Sequence, residues 1–283
     1  MITGGNGYLA SQIIRNIVND YQVVVIEKYT SELANIEAVI NLLEVYSTED
    51  FEKAFNKKVD VVLHCATLYG KGDEKLANIL DSNLLFPLKL LQKSVTQKVS
   101  LFINTDTTLD RQTNTYSLTK KQFLDWLIFY QNKIKITNVQ LEHFYGPGSS
   151  DNNFITSITR KLLKNDKIIE LTKGEQVRDF VYIDDVISAF LKIFENTDQF
   201  NEFQNFQVCT GKPEKLRNVI ELLKFISGSS SFLDFGAVSY RENEVMISNS
   251  DPKELNKIGW ENKVLQEEGL KRTVDFEKNK LGK

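Results

Sequence analysis

Over roughly the first 140 residues, short runs of β-branched residues alternate with longer amphipathic stretches, and this alternation constrains the fold more than any other feature of the chain. Val23-Val24-Val25-Ile26, Val59-Asp60-Val61-Val62-Leu63, Leu101-Phe102-Ile103 and Ile136-Thr137-Asn138-Val139 are nearly continuous apolar runs, the pattern of strands covered on both faces. Between them lie helical stretches. Ser47-Thr48-Glu49-Asp50 resembles a capping signal ahead of a helix at Phe51, and Ile79, Leu80, Asn83, Leu84, Pro87, Leu88 and Leu91 belong to one long helix. Strand and helix alternating at this pitch predict an α/β chain built on a doubly wound parallel sheet.

After Tyr145-Gly146-Pro147-Gly148 the texture changes. A helix at about 152–164, strands at about 168–171 and 178–183 and a helix at about 185–195 are expected, followed by mixed elements. The predicted organisation is a first domain over 1–145 with a returning segment at about 176–210, and a smaller, interleaved mixed α/β domain over 146–283.

Composition narrows the classes of function. Thirty-five Lys and Arg against 38 Asp and Glu leave a net charge of −3, so there is no basic field for nucleic acid. No apolar run approaches the ~20 residues of a membrane span, so no membrane partner is expected. Two cysteines, two histidines and no paired Cys motif argue against a metal site. With no signal segment in view, reduced thiols and a cytoplasmic location are expected. Arginine is scarce, at Arg15, Arg111, Arg160, Arg178, Arg217, Arg241 and Arg272, which gives weight to each position where a planar guanidinium stands instead of lysine.

The chain opens Met1-Ile2-Thr3-Gly4-Gly5-Asn6-Gly7-Tyr8-Leu9-Ala10. Gly4 and Gly7 allow a tight turn and close approach to a pyrophosphate, whose charge then sits at the start of a helix near Tyr8 and Leu9. Ala10 fills the third small position. Glu27 ends the second strand where a carboxylate binds the adenosine ribose hydroxyls, and Ala66, after the following strand, lines the same site. A carboxylate at Glu27 repels a 2′-phosphate, so among NAD(P)H cofactors NAD(H) is favoured, although Lys28 is adjacent. Only Met1 and Ile2 precede Thr3, short for a central strand of about five residues, so a natural start upstream of Met1 is expected.

Tyr116 and Lys120 stand four residues apart in a run of helix formers and so share a helix face. A phenol is a poor acid–base catalyst near neutrality; a neighbouring ammonium is expected to lower its pKa and to hold the nicotinamide ribose. Ten tyrosines and 28 lysines make about one such pair by chance. Its place about a dozen residues after Asn104-Thr105-Asp106 is what raises it above chance.

The order of Thr3 to Ala10, Asn83, Thr105, Tyr116 with Lys120, Tyr145-Gly146-Pro147-Gly148 and Arg178-Asp179-Phe180-Val181-Tyr182-Ile183-Asp184-Asp185 resembles the extended short-chain dehydrogenase/reductases, in the nucleotide-sugar epimerase/dehydratase group with a Rossmann domain. Asn104-Thr105-Asp106-Thr107, Leu141 to Gly148, Gly174 to Phe180, Gly228 to Phe232 and Arg241-Glu242-Asn243-Glu244 are similar to CDP-abequose synthase-like 4-ketoreductases of that group. The resemblance implies that Thr105 bonds the sugar oxygen at C4, that Tyr116 gives or takes the C4 proton and that Lys120 orients the cofactor. It also implies that Asp106, Asn153, Arg178 and Arg241 contact substrate, the two arginines gripping its diphosphate. His64 and Cys65 would pack near the adenine. A homodimer through a four-helix bundle containing the Tyr116 helix is implied as well.

Two departures from the group pattern are visible. The dehydratase branch carries Asp-Glu after the threonine, whereas here Asp106 is followed by Thr107; the lost carboxylate argues against 4,6-dehydration. Gln140 stands where the group usually has arginine. The expected function is NAD(P)H-dependent reduction of the C4 keto group of a nucleotide-diphosphate sugar for surface polysaccharide biosynthesis. Its rivals are a C4 epimerase with tightly bound NAD and a non-catalytic dinucleotide-binding protein of this fold.

Overall fold

The computed structural model describes residues 1–30, 32–70 and 72–282. The chain divides into two compact units, the first formed by Met1–Leu141 with Phe190–Phe206 and the second by Glu142–Ala189 with Gln207–Lys283. The returning segment is thus shorter than the 176–210 read from the sequence. The strands expected near 178–183 take their partners from the second unit, which is why the earlier part of that stretch stays there.

In the first unit, β1 (Ile2–Thr3), α1 (Tyr8–Ile17), β2 (Val23–Glu27), β3 (Leu43–Ser47) and β4 (Val61–His64) are followed by the helical run α2 (Leu76–Leu80) and α3 (Phe86–Thr96). Then come β5 (Leu101–Thr107), α4 (Thr115–Tyr130) and β6 (Lys135–Leu141). The buried Leu9, Ala10, Ile13, Ile14 and Ile17 form the inner stripe of α1 at helical spacing. The stretch after Ser47-Thr48-Glu49-Asp50 is a 3₁₀ turn, Phe51–Asn56, without a side-chain cap, in place of the expected capped α-helix. The long helix at 76–96 carries a π-helical turn at Asp81–Leu85 just before Pro87, whose ring cannot extend the preceding hydrogen-bond ladder.

The second unit contains β7 (His143–Tyr145), α5 (Phe154–Lys164), β8 (Ile168–Leu171), β9 (Val177–Arg178) and β10 (Phe180–Tyr182). Helix α6 (Ile183–Glu195) and strand β11 (Phe203–Val208) carry the chain into and out of the returning segment. The remainder is β12 (Glu214–Lys215), α7 (Leu216–Ser227), β13 (Phe232–Phe235), α8 (Lys253–Asn256) and α9 (Gln266–Lys280). Three two-stranded ladders, β7 with β10, β8 with β13 and β9 with β12, give this unit its mixed character. Two carboxylates of the Arg178–Asp185 run have structural duties here. Asp179 accepts from the Thr210 and Gly211 amides, and Asp185 from those of Lys263 and Val264.

The central sheet has seven strands in the order β11-β6-β5-β4-β1-β2-β3, with β1 to β6 paired in parallel. Strand β1 lies between β2 and β4, so the order reverses beside it, and loops at the C-terminal ends of these strands frame the crevice where such sheets bind ligands. On one side of this sheet His64 is fully buried beside the rings of Phe86, Phe102 and Phe123. It is a core residue, because its side chain follows the buried face of β4.

Candidate active site

The glycine turn forms directly at the end of β1. Gly4 has φ +67°, and a Cβ there would stand 2.7 Å from the Cα of Ala66, so only glycine lets β1 and the Ala66 backbone meet. Thr3 completes the junction: its hydroxyl accepts from the Ala66 amide at 3.2 Å and shares a 2.8 Å hydrogen bond with His64 Nδ1. Burial holds the His64 pKa well below the ordinary value, so the ring is neutral. Gly7, the N-cap of α1, has no side chain with which to cap the helix, so this helix start can receive an anion.

Glu27 closes the same loop. Its carboxylate accepts from the amides of Asn6 and Lys28, both at 2.9 Å. Asn6 in turn bonds Asn35 through both side chains, at 2.9 and 2.7 Å, which ties the turn to the segment after β2. Gly4, Gly7, Tyr8, Leu9, Glu27 and Ala66 therefore gather around one turn and one helix start. The close Gly4–Ala66 approach and the uncapped helix start fit a dinucleotide pyrophosphate.

Helix α4 starts in a capping box: the Asn114 side chain accepts from the Ser117 amide at 2.8 Å, and the Ser117 hydroxyl accepts from the Asn114 amide at 3.2 Å. This fixes Tyr116 in the first turn and Lys120 one turn on. Asn83, turned inward in the π-helical segment, bonds the Leu68 amide and carbonyl at 2.7 and 2.8 Å and the Thr119 hydroxyl at 3.2 Å. It thereby latches both the loop after β4 and α4. That loop places Tyr69 against Tyr116, ring centroids 4.9 Å apart.

Lys120 is fully buried and its ammonium makes no hydrogen bond among the described residues. Burial lowers its pKa to about 8, against the raising effect of Asp106. A buried donor without a partner fits a ligand hydroxyl such as the nicotinamide ribose. Tyr116 departs from expectation: burial first, then Tyr69 and Asp106, push its phenol well above the ordinary value, with only a hydrogen bond involving Thr107 opposing. In this state the phenol holds its proton, because desolvation of the phenolate outweighs any help from the ammonium.

Thr105 lies within β5, not after it, and its hydroxyl donates to the His64 carbonyl at 3.0 Å. Asp106, expected at the substrate, is buried among internal partners. It accepts from the Thr107 amide at 2.7 Å, from Lys121 Nζ at 2.8 Å and from Asn138 at 3.1 Å. Strand alternation turns it to the face opposite Thr105 and Thr107. Lys121 and Tyr69 join the site without a motif to mark them; a second lysine directly after Lys120 is the signal the chain offers for Lys121.

The second unit holds the remaining candidates. Arg178 is buried; its guanidinium pairs with Glu244 at 2.6 Å and donates to the Val177 carbonyl at 3.0 Å. Burial lowers its pKa, offset by Glu244 and Glu142. The expected diphosphate grip is thus held by the last carboxylate of the Arg241-Glu242-Asn243-Glu244 motif. Arg241 itself is exposed, and its carbonyl accepts from the Glu244 amide at 3.1 Å. Asn153, expected to touch substrate, is the N-cap of α5: its oxygen accepts from the Ile155 and Thr156 amides, and its nitrogen donates to the Phe144 carbonyl at 2.9 Å.

Residues 1–209 match the NAD dependent epimerase/dehydratase family. A CDP-abequose synthase of Salmonella typhimurium is 37% identical over 209 residues, 70% of either chain. A second, from Salmonella muenchen, is 27% identical and covers 98% of this chain and 97% of its own. Among solved structures, a UDP-glucose 4-epimerase of Thermotoga maritima with UDP-glucose is 26% identical, with a TM-score of 0.87 over 99% of this chain and 98% of the other. A UDP-glucuronic acid 4-epimerase of Bacillus cereus, in complex with UDP-glucuronic acid and NAD, has a TM-score of 0.88 at 20% identity, over 98% of each chain, and attests the fold. Among the described residues no helix is long and apolar enough to cross a membrane.

Proposed function

The chain belongs to the NAD dependent epimerase/dehydratase family, and from that membership we propose that it is a ketoreductase acting on the C4 carbonyl of a nucleotide-diphosphate deoxy sugar, similar to the CDP-abequose synthases. NADH or NADPH, when bound along the Gly4–Gly7 turn, supplies a hydride for that carbonyl. Lys120 holds the nicotinamide ribose with its otherwise unbonded ammonium. Tyr116 donates a proton to the C4 oxygen, and Thr105 turns its hydroxyl from the His64 carbonyl to the same atom, so that donors stand ready where negative charge develops. Arg178 and Arg241 bind the diphosphate, Arg178 exchanging the Glu244 carboxylate for phosphate oxygens.

The observation that carries this reading is the end of β5. Asp106 is spent on Lys121, Asn138 and the Thr107 amide, and Thr107 is no base, so that strand end offers no carboxylate for the further proton transfers of dehydration. A phenol that keeps its proton suits a donor in a reduction. Glu27 supports NADH, since its carboxylate lies at the loop where a 2′-phosphate would be repelled. The exposed Leu118, Trp126, Ile128 and Phe129 of α4 support a homodimer through that helix.

A C4 epimerase is the second reading, favoured by the likeness to the Thermotoga enzyme. Purified protein separates the two: the reductase consumes one NAD(P)H per turnover of a 4-keto sugar nucleotide, whereas an epimerase shows no net change in nicotinamide absorbance. A thermal-shift panel of CDP-, dTDP-, GDP- and UDP-nucleotides with each cofactor identifies the base, since a ligand at 100 times its Kd adds about 2.7 kcal/mol of stability.

A further inference from the structure

Behind the Tyr116–Lys120 face runs a ladder of buried polar side chains that the proposed chemistry does not use. Asn104 donates to Asn138 at 2.8 Å. Asn138 donates to Asp106 at 3.1 Å and to Asn205 of β11 at 2.8 Å, and Asn205 donates to Gln140 at 3.4 Å. At its end the Lys121 ammonium bonds both the Asp106 carboxylate, at 2.8 Å, and the Thr107 carbonyl, at 2.5 Å. Asn104 and Asn138 are fully buried, and the side chains of Asp106 and Lys121 are 0% and 11% exposed.

A charge pair taken this far out of water is often no more stabilising than an apolar pair of the same size, so it is weak evidence of a stabilising role. Its position suggests another one. Lys121 follows Lys120 on α4, and both of its acceptors lie at the end of β5 that carries Thr105. We propose that Asp106 and Lys121 are positioning residues, a buried charge pair that docks α4 on the end of β5 and sets the electrostatic environment of Lys120. The amide ladder fixes the carboxylate sideways, so the pair can transmit one geometry only. The groups facing Lys120 are His64 and Cys65 from the end of β4, Asp106 from β5 and Lys121 from its own helix. Asp106 favours the charged ammonium, and Lys121 opposes it.

The inference rests on the assignment of Tyr116 and Lys120 to catalysis, but its test needs neither substrate nor turnover. Lysine labelled with ¹³C at Cε is titrated by NMR in the cofactor-free protein, with the Lys120 signal assigned by its loss in Lys120→Arg. Removing a nearby cation raises the proton affinity of an ammonium and removing a nearby anion lowers it, each by about tenfold for a close charge. Lys121→Met is therefore expected to move the Lys120 midpoint up and Asp106→Asn to move it down, while Lys121→Arg stays near wild type. The double variant Asp106→Asn/Lys121→Met strands neither member of the pair without the other and guards against loss of folding; its midpoint moves down, because Asp106 is the stronger of the two influences. Shifts of one sign in both single variants, or an unmoved midpoint in the double variant, would overturn the proposal. Full activity in Tyr116→Phe would instead remove the catalytic assignment and leave the titration result standing.

Discussion

Tyr116 sits in a setting that keeps its phenol protonated, so its contribution is readable by deletion of one oxygen. Tyr116→Phe is expected to lower kcat by about a hundredfold to ten-thousandfold, the usual range for a positioned proton donor, while NAD(P)H affinity, measured by fluorescence titration, stays near wild type. Lys120 carries the opposite lesson: a buried ammonium with no hydrogen bond among the described residues costs stability. Its folded pKa, about 8, lies below its ordinary value of 10.5. Above about pH 8 the unfolded chain binds the extra proton, so stability of the cofactor-free protein rises with pH up to about 10.5. Lys120→Met is therefore expected to stabilise the protein near pH 7 by on the order of 3 kcal/mol and to abolish turnover. In urea unfolding the gain should fade as pH rises toward 10.5; a gain independent of pH would contradict this account. At Gly4 the constraint is on the backbone: Gly4→Ala meets the Ala66 backbone at a left-handed φ, and a loss of about 2 kcal/mol together with loss of cofactor binding is expected in thermal-shift assays.

At the scale of elements, structure here is held by side chains that satisfy backbone ends and strand junctions. Glu142, at the head of β7, accepts from Ser248, Ser250 and His143. Burial alone would raise its pKa, but these bonds prevail and hold it at about 2, against an ordinary 4.5. A carboxylate lowered in this way contributes stability that is complete above pH 4.5 and is lost as pH falls toward 2. Glu142→Gln should therefore be less stable than wild type near neutrality, and the two should converge on acidification, as followed by circular dichroism. The π-helical turn at Asp81–Leu85 serves a similar end, since it aims Asn83 at the loop after β4 and at Thr119. Gln140, the departure from the group's usual arginine, joins the ladder through Asn205.

For the whole molecule, the proposed homodimer rests on the exposed apolar side chains of α4, among them Trp126 and Phe129. Phe129→Lys with Trp126→Asp is expected to convert a dimer to a monomer by light scattering, because charges placed on an apolar interface cost more there than on a solvated face. An unchanged mass would count against the homodimer. The two units also show how far the chain order misleads. The first unit is completed by Phe190–Phe206, a segment that follows the first part of the second, Glu142–Ala189. Local patterns predict its helix, at about 185–195, but not the strand β11, and its bounds depend on which partners those elements find.

The alternation of strands and helices, the Gly4 turn, Glu27 at the end of β2 and the Tyr116–Lys120 spacing were all legible in the sequence, because each is a local demand on backbone conformation or on residues a few positions apart. Which charges meet was not. Asp106 and Arg178 both read as substrate contacts, yet one is bonded to Lys121, 15 residues on, and the other to Glu244, 66 residues on. Asn138 reaches Asn205 across 67 residues. Spacing along the chain carries no information about such pairs. Only the tertiary structure brings them within hydrogen-bonding distance, and in a dry interior that proximity decides whether a carboxylate is a catalyst, a ligand or an anchor.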